Sequence, residues 1–103
     1  MRSAHIFMHG NLAGTLEEID KGKRYQFKYS NEYNGDPISL TMSTDTSTYE
    51  FDRFPTFFDG LLPEGTMLEG LLRQNKIDAH DLFSQLLAVG QELVGAVTVE
   101  ETT

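Results

Sequence analysis

The chain has 103 residues, no cysteine and a formal net charge of −8 at pH 7. A chain of this length forms one small domain with a modest core, and we expect that domain to span residues 1–103. The lack of cysteine excludes disulfides, thiolate metal sites and a cysteine nucleophile. The acidity argues against direct binding to nucleic acid, which requires a basic surface, but it permits a basic protein partner.

Targeting signals and membrane segments are not evident. The N-terminal apolar run is too short for a signal peptide, and no stretch approaches the length of a membrane span. A chain without cysteine also suits a reducing compartment. We therefore expect a cytoplasmic protein that does not bind membranes.

The first half of the chain has the pattern of antiparallel strands. A His-Gly-Asn turn separates two short apolar stretches, so residues 4–18 predict a hairpin. After a second turn, residues 24–29 alternate polar and aromatic side chains, which is typical of a half-buried strand. Residues 38–42 predict a short strand or edge segment. Residues 43–48 contain only Ser, Thr and Asp, which predicts an exposed loop before Tyr49 and Phe51 return the chain to the core.

The second half has helical spacing. Asp52 is the predicted N-cap of a first helix, with Pro55 in its first turn and Pro63 at its end. A second helix follows, and one of its faces carries the apolar residues Met67, Leu68, Leu71 and Leu72.

The last helix is predicted between Asp78, as its N-cap, and Gly90, just past its end. Its buried stripe comprises Leu82, Phe83, Leu86 and Leu87. Residues 94–99 predict a closing strand. The pattern as a whole predicts an α+β fold, in which a small antiparallel sheet packs with about three helices.

The segment Phe-Pro-Thr-Phe-Phe-Asp-Gly-Leu-Leu-Pro-Glu-Gly at residues 54–65 joins the two halves. Its aromatic and leucine side chains at positions 57, 58, 61 and 62 share one face of a short helix. Most of this apolar surface is expected to be core between sheet and helices. A minority is expected to face outward as a docking patch beside the Pro-Glu-Gly turn.

Catalytic and metal-binding patterns are weak. His5, His9 and His80 have no metal-ligand spacing, so we expect surface histidines and no metal site. Asp59 and Glu64 could form an acid–base pair, but solvated charges on either side of an apolar helix are the simpler interpretation. No phosphate-binding loop or nucleophile elbow is visible. We therefore predict a protein that is not an enzyme and needs no cofactor.

Several segments together resemble a known family. The sequences at residues 37–42, 57–65, 81–90 and 95–99 occur in the same order as in the N-terminal subdomain of HipA-like serine/threonine kinases. The Phe-Phe-Asp-Gly-Leu-Leu-Pro-Glu-Gly segment is the specific one, and the match covers nearly the whole chain. The chain stops where the kinase core of that family begins, so the resemblance implies that the nucleotide-binding loop and catalytic aspartate are absent.

As a free-standing version of this subdomain, the chain resembles the HipS-like antitoxins of HipBST toxin–antitoxin systems. That resemblance implies binding and inhibition of a HipT-like serine/threonine kinase toxin, with a HipB-like DNA-binding protein as a third member of the complex. It also implies a kinase interface around the Leu-Leu-Pro-Glu-Gly segment, formed by Phe58, Asp59, Leu62, Pro63, Glu64, Gly65, Thr66 and Met67.

One position departs from the family pattern. Many members carry a tryptophan directly after the glycine of Pro-Glu-Gly, whereas this chain has Thr66 followed by Met67. Inhibition by obstruction of the kinase cleft and inhibition by locking an inactive kinase conformation both stay open. So do a structural subunit without inhibitory activity, an excised fragment of a longer HipA-like kinase, and a small hydrolase that uses Asp59 and Glu64.

Overall fold

The computed structural model describes residues 2–93 and 95–102, and its centre is a five-stranded antiparallel sheet. The strands are β1 (Arg2–Met8), β2 (Asn11–Asp20), β3 (Arg24–Tyr29), β4 (Thr48–Phe51) and β5 (Val97–Glu101). Their spatial order is β4-β3-β2-β1-β5. Three helices, α1 (Thr56–Asp59), α2 (Gly65–Asn75) and α3 (Leu82–Val89), lie between β4 and β5 in the sequence. The predicted α+β fold is confirmed.

Tight turns and local pairing build most of the sheet. His9 and Gly10 take positive φ values of 51° and 82° at the β1–β2 turn, as the predicted hairpin requires. β5 returns from the C-terminal end and pairs antiparallel with β1. Of the predicted closing strand, Val94 lies outside the described residues, and the strand itself spans Val97–Glu101.

The core lies between one face of the sheet and the helices. Alternate strand residues point to that face, and Ile6, Leu16 and Phe27 are fully buried there. From the helical side Phe58 and Phe83 are also fully buried, and the Phe27 and Phe58 ring centroids are 6.1 Å apart. The sheet and two of the helices therefore share one hydrophobic core.

The end of α3 touches the backbone of β5. A Cβ atom added to Gly90 would lie 2.2 Å from the carbonyl oxygen of Val99, which is too close for any side chain. Gly90 itself has an ordinary right-handed conformation, with φ −53°. Glycine is needed at this predicted helix end because two backbones meet, and not because the chain turns left-handed.

Four local predictions were wrong. The first helix was expected to end at Pro63, but α1 ends at Asp59, where Gly60 is its C-cap. Asp52 does not cap α1, which begins after Pro55 and has no side-chain cap. The N-cap of α3 is Asp81, which accepts a hydrogen bond from the Ser84 N–H at 3.1 Å, whereas Asp78 accepts one from the His80 N–H. Residues 38–42 form only an isolated bridge between Ser39 and Met42.

Arg2 ties β1 to β2 and to the start of α3. Its guanidinium donates to Glu18 at 2.8 and 2.9 Å, to Asp81 at 2.9 and 3.2 Å, and to the Ser84 hydroxyl at 2.7 Å. Burial by itself raises the pKa of Asp81, but hydrogen bonds from Arg2 and Ser84 outweigh it and hold the pKa at about 2. The pKa of Glu18 is also lowered: burial opposes the shift, and the hydrogen bonds from Arg2 overcome it.

Within the described ranges, no helix has both the length and the apolar character needed to cross a membrane.

Candidate docking groove beside the second helix

The groove begins at the turn between α1 and α2. Pro63 has no N–H to continue a helix, and Glu64 is extended, with φ −129° and ψ 165°. Gly65 follows with a positive φ of 60°, a conformation that glycine adopts without strain. The turn therefore precedes α2, whereas α1 has already ended at Asp59.

α2 is held only loosely against the rest of the molecule. None of its residues is buried. On its predicted apolar face Leu68, Leu71 and Leu72 are half-buried, and the Met67 side chain is 75% exposed. The helix thus presents apolar surface that the described part of the chain does not cover.

A groove of about 650 Å³ lies between α2 and the segment at the end of α3. Its apolar walls are formed by Leu61, Pro63, Met67, Leu71, Val89 and Leu93. Gly60 and Gly70 also line it, and a Cβ added to Gly70 would meet no atom within 4 Å. The groove therefore has unfilled space beside Gly70.

Polar and charged groups border these apolar walls. Thr66, Gln74 and Glu92 line the groove. The exposed residues Asp59 and Glu64 lie near the turn in sequence and do not line the groove. An apolar floor with an acidic border suits a protein segment that carries apolar anchors and basic neighbours.

The structure separates the eight predicted interface residues into three groups. Pro63, Thr66 and Met67 line the groove. Asp59, Glu64 and Gly65 are exposed beside it.

Phe58 and Leu62 belong to the third group, and their prediction as contact residues needs correction. Phe58 is 0% exposed and Leu62 is 9% exposed, so both side chains belong to the core. They support the turn from below and have almost no surface to offer a partner.

The far wall of the groove was missed by the sequence analysis. Val89 is the last residue of α3, Glu92 and Leu93 follow that helix, and all three lie far from the turn in sequence. Gly70 and Leu71 of α2 were also not assigned to the site. A usable signal was present, because Met67, Gly70, Leu71 and Gln74 recur at helical spacing on one side of α2.

Metal chemistry has no support in the described part of the chain, where no group of three or more His, Asp or Glu residues could hold a metal ion. Asp59 and Glu64, the carboxylates considered for acid–base chemistry, are both exposed and neither lines a groove.

Comparison with known proteins identifies the family. The family model for the HipA N-terminal domain matches residues 4–100. The chain belongs to the HipA N-terminal domain family. A solved structure titled as the N-terminal domain of HipA toxin superposes with a TM-score of 0.80 at 29% identity, covering 100% of this chain and 94% of that chain. An uncharacterized protein of Haemophilus influenzae is 33% identical over 101 residues, covering 98% of this chain and 93% of the relative.

Proposed function

We propose that this HipA N-terminal domain protein binds a HipA-like serine/threonine kinase and inhibits it, in the manner of a HipS-like antitoxin. The observation that carries the proposal is the open groove of about 650 Å³ beside α2. The family adds to it, because the family model is that of the HipA N-terminal domain. A domain of this family that leaves apolar surface uncovered is suited to docking on the kinase. A HipB-like DNA-binding protein is proposed as the third member of the complex.

Binding is proposed to rest on the apolar walls and on Met67. Burying an exposed methionine side chain contributes about 1.5–3 kcal/mol, which makes Met67 the strongest single anchor on α2. Interface energy concentrates in a few such anchors inside a polar border. The acidic border formed by Glu92, Asp59 and Glu64 favours approach of a basic kinase surface.

Inhibition is proposed to be steric. The turn from Pro63 to Met67 projects two exposed side chains, Thr66 and Met67, from the start of α2. Thr66 is small, so the bulky group that enters the kinase cleft is Met67. The core residues Phe58 and Leu62 hold the base of the turn, which lets it enter the cleft without losing its shape.

The test begins with the kinase that co-purifies with the tagged chain from a lysate of its source cell. Phosphoryl transfer by that kinase is measured with increasing amounts of wild-type chain, Met67→Lys and Glu69→Lys. Glu69 is exposed on α2 and does not line the groove, so Glu69→Lys is the matched control. We expect Met67→Lys to inhibit at least about tenfold less well than wild type, a loss of about 1.4 kcal/mol of binding free energy. Glu69→Lys is expected to inhibit as wild type does.

Two results contradict the proposal at different points. If folded Met67→Lys inhibits as well as wild type, the turn is not the inhibitory element. If the kinase is equally active with and without the wild-type chain, the protein is a structural subunit and not an inhibitor.

A further inference from the structure

The two edges of the sheet differ. At the β5 edge the Val99 N–H donates to the Gly90 carbonyl at 3.0 Å, and the Gln91 side chain donates to the Val99 carbonyl at 3.3 Å. The end of α3 therefore covers that edge. At the other edge β4 pairs only with β3, and its outer side carries no further strand among the described residues.

The register of β4 identifies which backbone groups point outward. The Tyr29 N–H donates to the Ser47 carbonyl, and in an antiparallel ladder every second pair exchanges such bonds. Tyr49 and Phe51 therefore bond to β3, while the N–H and C=O groups of Thr48 and Glu50 point away from it. No protein group in the described chain bonds to these outward groups. They form a template for another strand.

A pocket of about 360 Å³ adjoins this edge on the helix-facing side of the sheet. Tyr49 and Phe51 line it from β4, together with Pro55 and Phe57 from the segment around α1. It shares no lining residue with the groove beside α2. Leu40, on the turn next to it, is 105% exposed. An added strand would place alternate side chains into this apolar pocket.

The opposite face of the edge carries charges of both signs: Glu50 on β4 and, diagonal to it on β3, Lys28. Glu50 pairs with Gln26, so its side chain lies on the sheet face that carries no helix, and it is exposed. Asp52 follows directly and is exposed as well. Asp52 and the next residue, Arg53, both line the pocket, so its lining also carries one charge of each sign. A residue that pairs with Glu50 from an added strand is stabilised if it is Lys or Arg.

We propose that the β4 edge accepts an extended segment of a partner protein, with a large apolar side chain directed into the pocket and a Lys or Arg beside Glu50. The main-chain groups of Thr48 and Glu50 supply the affinity, and the alternation of apolar and basic side chains supplies the specificity. A second copy of this chain is a poorer occupant, because it carries a net charge of −8 and its own Glu50. The surface is separate from the proposed kinase groove.

The probe is a displayed library of random short linear peptides, selected on the wild-type chain, on Glu50→Pro and on Glu50→Gln. Proline removes the outward N–H of residue 50, and proline is compatible with an edge strand at that position. Gln keeps this N–H and removes the charge, so it is the matched control. We expect wild type to enrich peptides in which apolar residues alternate with Lys or Arg. Synthetic forms of these peptides are expected to bind Glu50→Pro at least about tenfold more weakly than wild type, because one carbonyl group of the peptide loses its hydrogen-bond donor.

On Glu50→Gln, binding of apolar alternating peptides is expected to persist while the preference for Lys or Arg disappears. Circular dichroism checks that the variants fold, and Thr48→Pro replaces Glu50→Pro if that variant does not. Equal binding of the enriched peptides to wild type and to a folded proline variant overturns the proposal. The absence of any enriched peptide also overturns it. A wild-type dimer in sedimentation experiments that Glu50→Pro abolishes would overturn it as well, since the occupant of the edge would then be a second copy of the chain.

Discussion

α2 and α3 are neighbouring amphipathic helices that the protein treats in opposite ways. α3 buries Phe83, Gln85 and Leu86 against the sheet, whereas α2 buries no residue. α3 is capped by the Asp81 side chain, whereas α2 begins at Glu64 without a side-chain cap. Of two helices with apolar faces, one therefore stabilises the fold, and the other leaves its apolar face largely uncovered by the described residues.

The difference comes from what each helix finds opposite it. α3 lies on the sheet, where Gly90 allows its end to touch Val99 and Arg2 ties its start to β2. Among the described residues, α2 faces the end of α3 and the residues after it, and a groove remains between them. The groove is thus a consequence of the fold, which places α2 outside the sheet–helix core.

Phe83→Ala, in α3, is the substitution with the largest expected effect on stability. Phe83 is fully buried, so removal of its ring is expected to lower the free energy of unfolding by about 3–5 kcal/mol. Urea unfolding measures the loss, with Met67→Ala of α2 as the control. That control is expected to change stability by less than about 0.5 kcal/mol, because Met67 is largely exposed. Similar losses in the two variants would mean that the two helices do not differ as described.

Gly90→Ala is expected to destabilise the protein by about 3 kcal/mol, the upper end for overpacking, because its methyl group meets backbone and not a flexible side chain. Thermal unfolding would detect this as a lower midpoint. An unchanged midpoint would show that α3 can move away from β5 at little cost.

Arg2→Met is expected to lower the free energy of unfolding by about 2 kcal/mol. This is less than the loss for breaking a fully buried ion pair, because Arg2 is partly exposed. The sign of the pH effect follows from Asp81. Its folded-state pKa of about 2 lies below the ordinary value of 3.8, so its contribution is present above about pH 4 and is lost as the pH falls towards 2. In Arg2→Met the pKa of Asp81, measured by NMR titration, is expected to rise towards 3.8. A pKa that stays near 2 would assign the shift to Ser84 instead.

Gly70→Ala has the smallest expected effect and the opposite sign. The site is helical and open, so alanine is expected to stabilise the protein by about 0.5–1 kcal/mol. A loss of stability in chemical denaturation would mean that the space beside Gly70 is already used by the fold.

Local signals in the sequence predicted most of the sheet. The alternating pattern of β3 and the His-Gly-Asn turn depend on neighbours in the chain, and both predictions were confirmed. The helix caps could not be predicted in this way. Asp78 and Asp81 are equivalent by residue type, and what distinguishes Asp81 is its contacts with Ser84 and, far away in the sequence, with Arg2. The predicted N-cap at Asp52 was wrong because the helix starts only after Pro55. The segment before it is held by Phe54, which packs edge-on against Tyr25.

The candidate site was only half predictable for a similar reason. Helical spacing placed positions 57, 58, 61 and 62 on one apolar face but could not show which side chains face the core. Phe58 and Leu62 do, while Leu61 lines the groove. The second wall comes from Val89 and Leu93, which lie far along the chain and are brought to the turn only by the packing of α3.

The most direct test of the central claim is the affinity of Gly70→Leu for the HipA-like kinase, measured by calorimetry beside wild type and Glu69→Leu. A Cβ atom at position 70 meets no other atom within 4 Å, and this position lines the groove, so a leucine there is expected to occupy groove space; position 69 does not line the groove. We predict that Gly70→Leu remains folded and binds at least about tenfold more weakly, while Glu69→Leu binds as wild type does. Wild-type affinity in a folded Gly70→Leu would contradict the assignment of this groove as the kinase-docking surface.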